Sequence, residues 1–429
     1  MSTVDPTGAP DPSDLPADGA DGRRFSLKPL MFQTFVCTMA TMTFTALAGP
    51  IGRTLDLAPW QMGLAVTAGA VSWILTAQAW GRASDRHGRR PVLLGGLVGF
   101  AIAYAGLCLV AVLALKGGLS TLAAFVGLVI GRILAGAFFT AVPTTSAALI
   151  ADHVEPQHRA AAMGALGMAS ATAMVVGPAL AGLIAPYDLN VPLLVAAVLP
   201  FVAVAASWRL LPQGRRHAPQ AMPAPRLTDR RLRQPVTVAF TSMLAVSTAQ
   251  MVVGFYAIDR LALSPQDGGH VAGISLTCAG LALILAQGMV RFFKWRPIML
   301  IRLGAAIGGL SFLAVIVATT PVLLYLCYFL AALGMGVLWP SISALAANAV
   351  QKHEQGAAAG AVTAAQGLGS MLGPLLGTLI YAIDVTAPYV MIALLLLMLV
   401  PRGGATSASV TGESGDGPKE EIRPRSSEA

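Results

Sequence analysis

Arg132 lies in the run Gly131-Arg132-Ile133-Leu134-Ala135-Gly136, well inside a long apolar stretch. A guanidinium carried into lipid costs at least ~2.5 kcal/mol, so it must face a partner or a watery cavity, which makes it a candidate site residue. The structural alternative is an arginine held by backbone carbonyls near a helix end. Carboxylates that could answer it are scarce. Outside the terminal segments they are Asp56, Asp85, Asp152, Glu155, Asp188, Asp229, Asp259, Asp267, Glu354 and Asp384, and none falls at the middle of an apolar stretch. Asp259 closes one such stretch in Phe255-Tyr256-Ala257-Ile258-Asp259-Arg260. It is either a coupling residue at the mouth of a cavity or an ordinary ion pair with Arg260 at the water interface. An inner arginine with so few acids points to an anionic or zwitterionic small-molecule substrate.

The same inventory excludes other chemistry. No nucleophile and base stand at useful spacing, no glycine loop cradles phosphate, and no His/Cys/Asp/Glu cluster has metal-ligand spacing, so an enzyme, a cofactor and a metal are not expected. Cys37, Cys108, Cys278 and Cys327 lie far apart in apolar stretches and read as buried free thiols. All six histidines fall in loops or at stretch ends.

The elements that hold these residues must be membrane helices. A chain that is 55% hydrophobic and 11% charged cannot hide that much apolar surface in a water-soluble core. About twelve stretches are long enough to span, beginning near Leu30, Trp60, Pro91, Leu119, Ala160, Val191, Val236, His270, Pro297, Pro321, Ala357 and Ala387. Backbone in lipid must satisfy its own hydrogen bonds, which makes them helices. Arginine and lysine cluster on alternate loops: Arg82, Arg86, Arg89 and Arg90; Arg215 to Arg233; and Arg291, Lys294 and Arg296. Only Arg53, Lys116 and Arg260 lie on the other side. The positive-inside tendency therefore places both termini in the cytoplasm of a multi-pass inner-membrane protein. The net charge of +8 then lies against anionic lipid, with no call for nucleic acid. Residues 1–29 and 401–429 read as disordered cytoplasmic tails, too poor in apolar area to fold. Arg23-Arg24 reads as the basic flank of the first span, not an export signal.

One loop is dense in charge and glycine: Gly81-Arg82-Ala83-Ser84-Asp85-Arg86-His87-Gly88-Arg89-Arg90-Pro91, between the second and third stretches. Its spacing closely resembles the loop signature of the major facilitator superfamily of secondary transporters. The resemblance extends from about Leu30 to Val400. It implies an all-α membrane fold of two six-helix halves, 30–211 and 235–400, joined by a basic cytoplasmic linker, 212–234. It also implies that Gly81, Asp85, Arg86, Gly88, Arg89 and Arg90 form a conformational lock, the aspartate meeting a helix N-terminus of the other half. Asp152, near Arg159, could join that cluster. Gly131-Arg132 through Gly136 resembles the superfamily's fourth-helix arginine motif, which implies a role for Arg132 in proton or substrate coupling.

An internal duplication agrees with two halves. Gly177-Pro178 with Gly182 recurs as Gly373-Pro374 with Gly377, and 373 − 177 equals 196, as does 357 − 161 for the alanine-glycine runs before them. The first copy resembles the antiporter motif of drug:proton antiporters, Gly-x-x-x-Gly-Pro-x-x-Gly-Gly, with Ala173 and Ala181 in place of two glycines. Proline bends a helix and small residues let a neighbour approach, so these are helices that can rock; plain packing is the alternative. The first span lacks the acid many such antiporters carry, offering only Gln33, Thr34, Cys37, Thr38, Thr41, Thr43 and Thr45.

Polar or amphipathic residues inside second-half spans, Gln250, Tyr256, Gln287, Tyr328, Trp339 and Gln366, are candidates for a cavity wall. The expectation is a monomeric secondary transporter that exports a small organic molecule in exchange for protons. The molecule would be drug-like, or an anionic or zwitterionic metabolite such as a metal chelator. An importer or facilitator of a polar metabolite is the alternative.

Overall fold

Proline opens helix after helix: Pro59, Pro156, Pro265, Pro297 and Pro321 each stand in a first turn, where a missing N–H costs nothing. Ser120 and Thr320 cap two more starts, accepting from the amides of Ala123 and Leu323. The computed structural model describes residues 25–211, 229–292, 296–351 and 354–402. Most of the expected tails, and residues 212–228 of the expected linker, lie outside the described residues.

Twelve helices follow in order: α1 (Lys28–Thr54), α2 (Pro59–His87), α3 (Arg89–Leu115), α4 (Thr121–His153), α5 (Pro156–Ile184), α6 (Asn190–Leu210), α7 (Arg233–Leu261), α8 (Pro265–Phe292), α9 (Pro297–Ala314), α10 (Pro321–Asn348), α11 (Gln355–Tyr381) and α12 (Ala387–Leu397). Among the described residues ten are long and apolar enough to cross a membrane. Of the other two, α12 is short and α11 is rich in glycine and alanine because it packs between α7 and α2. Leu75, Ile102, Leu122, Leu285, Leu310 and Leu326 are exposed on the outer surface, as lipid-facing residues must be. The fourth helix breaks at Thr140, three residues before Pro143, whose ring and missing N–H interrupt the ladder there. Beside the break the Thr140 hydroxyl lies within donating distance of the carbonyls of Trp73 and Gly136, at 3.1 and 3.0 Å, which ties α4 to α2.

Helices α1–α6 and α7–α12 form two bundles, and they meet along α1 with α7, α2 with α11, and α5 with α8. The closest approaches lie toward the face that carries the α1–α2 and α7–α8 loops. A methyl placed on Gly49 would stand 2.5 Å from the Phe255 nitrogen, and one on Gly273 would stand 2.4 Å from the Gly182 Cα. Only glycine permits backbones that near. Hydrogen bonds from Thr67 to the Met371 carbonyl (3.0 Å) and between His270 and the Gly182 carbonyl (2.7 Å) tie the same seam. At the other end, the face of the arginine-rich loop, Gly164, Gly167, Gly288, Gly356 and Gly367 have open space where a side chain would be. The halves thus make their closest contacts at one face, the closed face.

Candidate functional site

Two glycines bring Arg132 to the centre. Gly131 leans on Leu107 of α3, and Gly136 lies so near the Gly69 carbonyl that a methyl there would stand at 2.1 Å. This presses α4 onto α2 and turns Arg132, 8% exposed, inward over the Phe44 ring, its guanidinium carbon 5.2 Å from the centroid. That cation–π contact is worth about 0.5–2 kcal/mol and does not replace a counter-ion. Arg132 has no carboxylate partner among the described residues, and its Nε is buried without an acceptor.

The guanidinium borders a cavity of about 190 Å³ between the halves, at mid-depth. Thr41, Phe100, Trp73 and Phe139 form its first-half wall, while Ser247, Gln250 and Pro374 come from the second half. A smaller lobe of about 50 Å³ adjoins it across Met42, Thr45 and Gln250, lined by Met174, Leu276, Phe312, Tyr328 and Met335. Among the described residues neither lobe is lined by a carboxylate.

Of the residues expected at a cavity wall, Gln250 borders both lobes and Tyr328 lines the smaller one. Tyr256 is fully buried, donating to the Val315 carbonyl at 2.6 Å, and belongs to the core of the second bundle. Gln287 is exposed, and Gln366 and Trp339 are half-buried away from both lobes.

Asp259 is placed otherwise than its sequence neighbour suggests. It pairs not with Arg260 but with Arg53 at the end of α1, at 2.5 Å, and accepts from the Tyr381 hydroxyl at 2.8 Å. Arg53 also lies over the Phe255 ring, 5.3 Å from its centroid. This cluster straddles the halves at the closed face. Arg260 is exposed beside it.

At the basic face, Arg89 bridges two carboxylates of its own half: it donates to Asp85 and, through Nε, to Asp152 at 2.9 Å. Asp85 therefore engages Arg89 here, not the other half. Arg159 turns to the Ala151 and Val154 carbonyls instead of joining Asp152. Gly88 has a φ of 94°, a backbone setting that glycine alone adopts freely, and makes the corner between α2 and α3. Arg90 donates to the Trp208 carbonyl at 2.8 Å. A methyl placed on Gly81 would meet Thr144 at 3.9 Å, an ordinary contact, and Arg86 lies on the last turn of α2.

The Gly-Pro helices are pinned alike in both halves. Thr43 donates to the Gly177 carbonyl at 3.2 Å, and Thr248 to the Gly373 carbonyl at 3.1 Å. Gly377 packs on Thr248 within its half, whereas Gly182 faces Gly273 across the seam and the Pro178 carbonyl lies against the same glycine. Each helix thus touches its own bundle on one side and the opposite bundle on the other.

Sequence reasoning passed over Arg53, Trp73, Phe44, Tyr381 and the buried Gln33. The last donates to Ser146 and accepts from Ser207, at 3.1 and 3.0 Å, joining α1 to α4 and α6. Five threonines in the first span, Thr34, Thr38, Thr41, Thr43 and Thr45, masked this one structural amide. The thiols of Cys37, Cys108, Cys278 and Cys327 are free, and all but Cys278 are buried.

Comparison with known proteins agrees with this architecture. The family profile described as Major Facilitator Superfamily matches residues 30–374 and 303–402. The chain is 29% identical to the tetracycline resistance protein, class C, of Escherichia coli over 362 residues, 80% of this chain and 87% of that one. It is 25% identical to multidrug resistance protein 2 of Bacillus subtilis (strain 168), over 79% and 84% of the two chains. Among solved structures it is similar to a bacterial homolog of the human lysosomal transporter Spinster, inward-facing and unoccupied, with a TM-score of 0.66 at 13% identity over 88% and 94% of the chains. It is similar as well to the human organic anion transporter MFSD10 (TETRAN), with a TM-score of 0.60 at 20% identity over 88% and 98%. Two six-helix bundles around a central cavity and a profile match over most of the chain lead to one conclusion: this is a multi-pass membrane transporter, not an enzyme, and it belongs to the Major Facilitator Superfamily.

Proposed function

We propose that this transporter exports a small organic anion or zwitterion in exchange for protons, with the basic face and both termini in the cytoplasm. The observation that carries the reading is Arg132, a buried guanidinium without a carboxylate partner among the described residues, at a cavity walled by aromatic, aliphatic and neutral polar side chains. With the arginine-rich loops inside, the conformation described is inward-open, ready to load from the cytoplasm. Relatives named for resistance to tetracycline and to multiple drugs support outward transport of organic compounds. Asp259 is assigned the proton-carrying step, because its carboxylate joins the two halves and neutralising it would release Arg53.

One observation favours a facilitator instead: among the described residues no carboxylate lines either lobe. The two readings separate in proteoliposomes. Substrate efflux accelerated by an inward proton gradient and slowed when an uncoupler collapses it supports exchange; flux indifferent to the uncoupler supports facilitation and sinks the antiport reading.

A further inference from the structure

The two lobes of the cavity are copies of one another. Helix α4 supplies Arg132, Ala135, Gly136 and Phe139 to the larger lobe, and α10 supplies Tyr328, Ala331, Ala332 and Met335 to the smaller. The interval is constant: 328 − 132 and 335 − 139 both equal 196, as does 374 − 178 for the prolines that close each lobe from α11 and α5. The neighbouring helix keeps the pattern, since Val66, Gly69, Ala70 and Trp73 of α2 have the spacing of Leu276, Ala279, Gly280 and Leu283 of α8. Phe100 and Phe312 take matching places on α3 and α9.

A wall built twice has diverged in chemistry at its centre. Where the larger lobe has an unpartnered guanidinium, the smaller has a phenol whose hydroxyl is already engaged, 2.7 Å from the Ala249 carbonyl and 2.9 Å from the Tyr389 hydroxyl. Where the larger has Phe139 and Trp73, the smaller has Met335 and Leu283. One lobe therefore offers a positive charge, and the other offers a soft apolar surface in which Met42, Met174 and Met335 can re-pack around varied shapes. Gln250 stands at the junction, and no hydrogen bond within the protein engages its amide among the described residues.

We propose that the cavity is a bipartite site for an amphipathic organic acid: the acidic group pairs with Arg132 in the larger lobe while an aromatic or aliphatic body fills the lobe around Tyr328, with Gln250 bridging the two. The assignment deepens the export reading and rests on it only for the sign of the cargo's charge. A flexible apolar lobe joined to one fixed cation selects a class, acids with a bulky apolar body, and not a single compound. It turns away short acids, which leave the second lobe empty, and neutral analogues, which leave the guanidinium desolvated and unpaired.

The test is equilibrium binding to the purified full-length protein in lipid nanodiscs, by calorimetry, with 1-naphthaleneacetate, its neutral amide and acetate. The acid should bind at least about 10-fold more tightly than either of the others, ~1.4 kcal/mol. Arg132→Gln should lower the acid to the affinity of the amide and leave the amide unchanged. Ala332→Phe, which fills the smaller lobe, should lower the acid to the affinity of acetate; Ala279→Leu, from the facing wall, should do the same by another route if the first variant folds poorly. Equal binding of acid and amide overturns the proposal, as does no binding of the acid at millimolar concentration, or an acid affinity untouched by folded lobe-filling variants. Because no gradient is present, the site can stand even if proton exchange or outward direction fails, and a transporter that exports only short acids would fail here alone.

Discussion

Arg53 and Asp259 stand 206 residues apart in sequence and meet at 2.5 Å, joining the last turn of α1 to the last turn of α7. Asp259 holds the Tyr381 hydroxyl as well, and Arg53 covers the Phe255 ring, so the pair is the centre of a latch on the closed face. Both side chains are partly exposed, which limits the pair to about 0.2–1 kcal/mol. The ring adds about 0.5–1 kcal/mol. A latch of that size biases a gate without freezing it.

Asp259→Asn leaves the Arg53–Phe255 contact in place and removes only the charge pair, so it should shift the resting population toward opening of this face by up to about 5-fold, the factor that ~1 kcal/mol commands. Spin labels on cysteines placed at Lys116 and Thr319, in a background lacking the native thiols, would show a longer-distance fraction growing in this variant. A distance distribution identical to that of the parent would remove the latch from the account.

Two glycine substitutions of equal size should have unlike effects. A methyl on Gly136 meets the Gly69 carbonyl at 2.1 Å inside one half, so Gly136→Ala should lower the thermal midpoint and the yield of folded protein. A methyl on Gly63 meets Thr378 and Pro374 across the seam, at 2.0 and 2.7 Å. Gly63→Ala should leave each half folded and part the closed face, read by the same spin-label pair. Equal losses of thermal stability in both variants would mean that the seam is as rigid as a bundle core.

The Arg89 bridge predicts a third outcome. Its guanidinium reaches Asp152 through Nε and Asp85 through a terminal nitrogen, a two-carboxylate span that a lysine ammonium does not reproduce. Arg89→Lys and Asp85→Asn should each cut transport several-fold while the protein still inserts and purifies normally. Undiminished flux in Asp85→Asn would show that this loop corner is structural only.

Replacing Arg132 should separate function from stability. The buried, unpaired cation costs at least ~2.5 kcal/mol in a membrane setting, so Arg132→Met should raise the thermal midpoint in detergent while abolishing transport of acids. A fall in thermal midpoint would mean that the guanidinium holds the fold together, contrary to its unpartnered geometry.

Most of the scaffold was legible because membrane helices announce themselves by length and hydropathy. The twelve starts expected from sequence lie within a few residues of those observed, and the interval of 196 foretold the matched threonine contacts at Gly177 and Gly373. Partnerships between helices were not legible. Asp259 reads as paired with Arg260 only because they are adjacent in sequence, yet neighbours on a helix point apart, and the true partner came from another helix. Tyr256 and Gln250 are equally polar on paper; burial against Val315 or exposure to a cavity depends on helix rotation, which an all-apolar stretch does not encode.

The most direct test of the central claim is untargeted mass spectrometry of cells and medium for a strain lacking the protein, the same strain expressing it, and the same strain expressing Arg132→Gln. The account predicts an organic acid trapped inside the deficient cells, released to the medium by the parent protein and retained when Arg132→Gln replaces it. Release of the same compound by Arg132→Gln, release of a cation, or uptake from the medium on expression would contradict it.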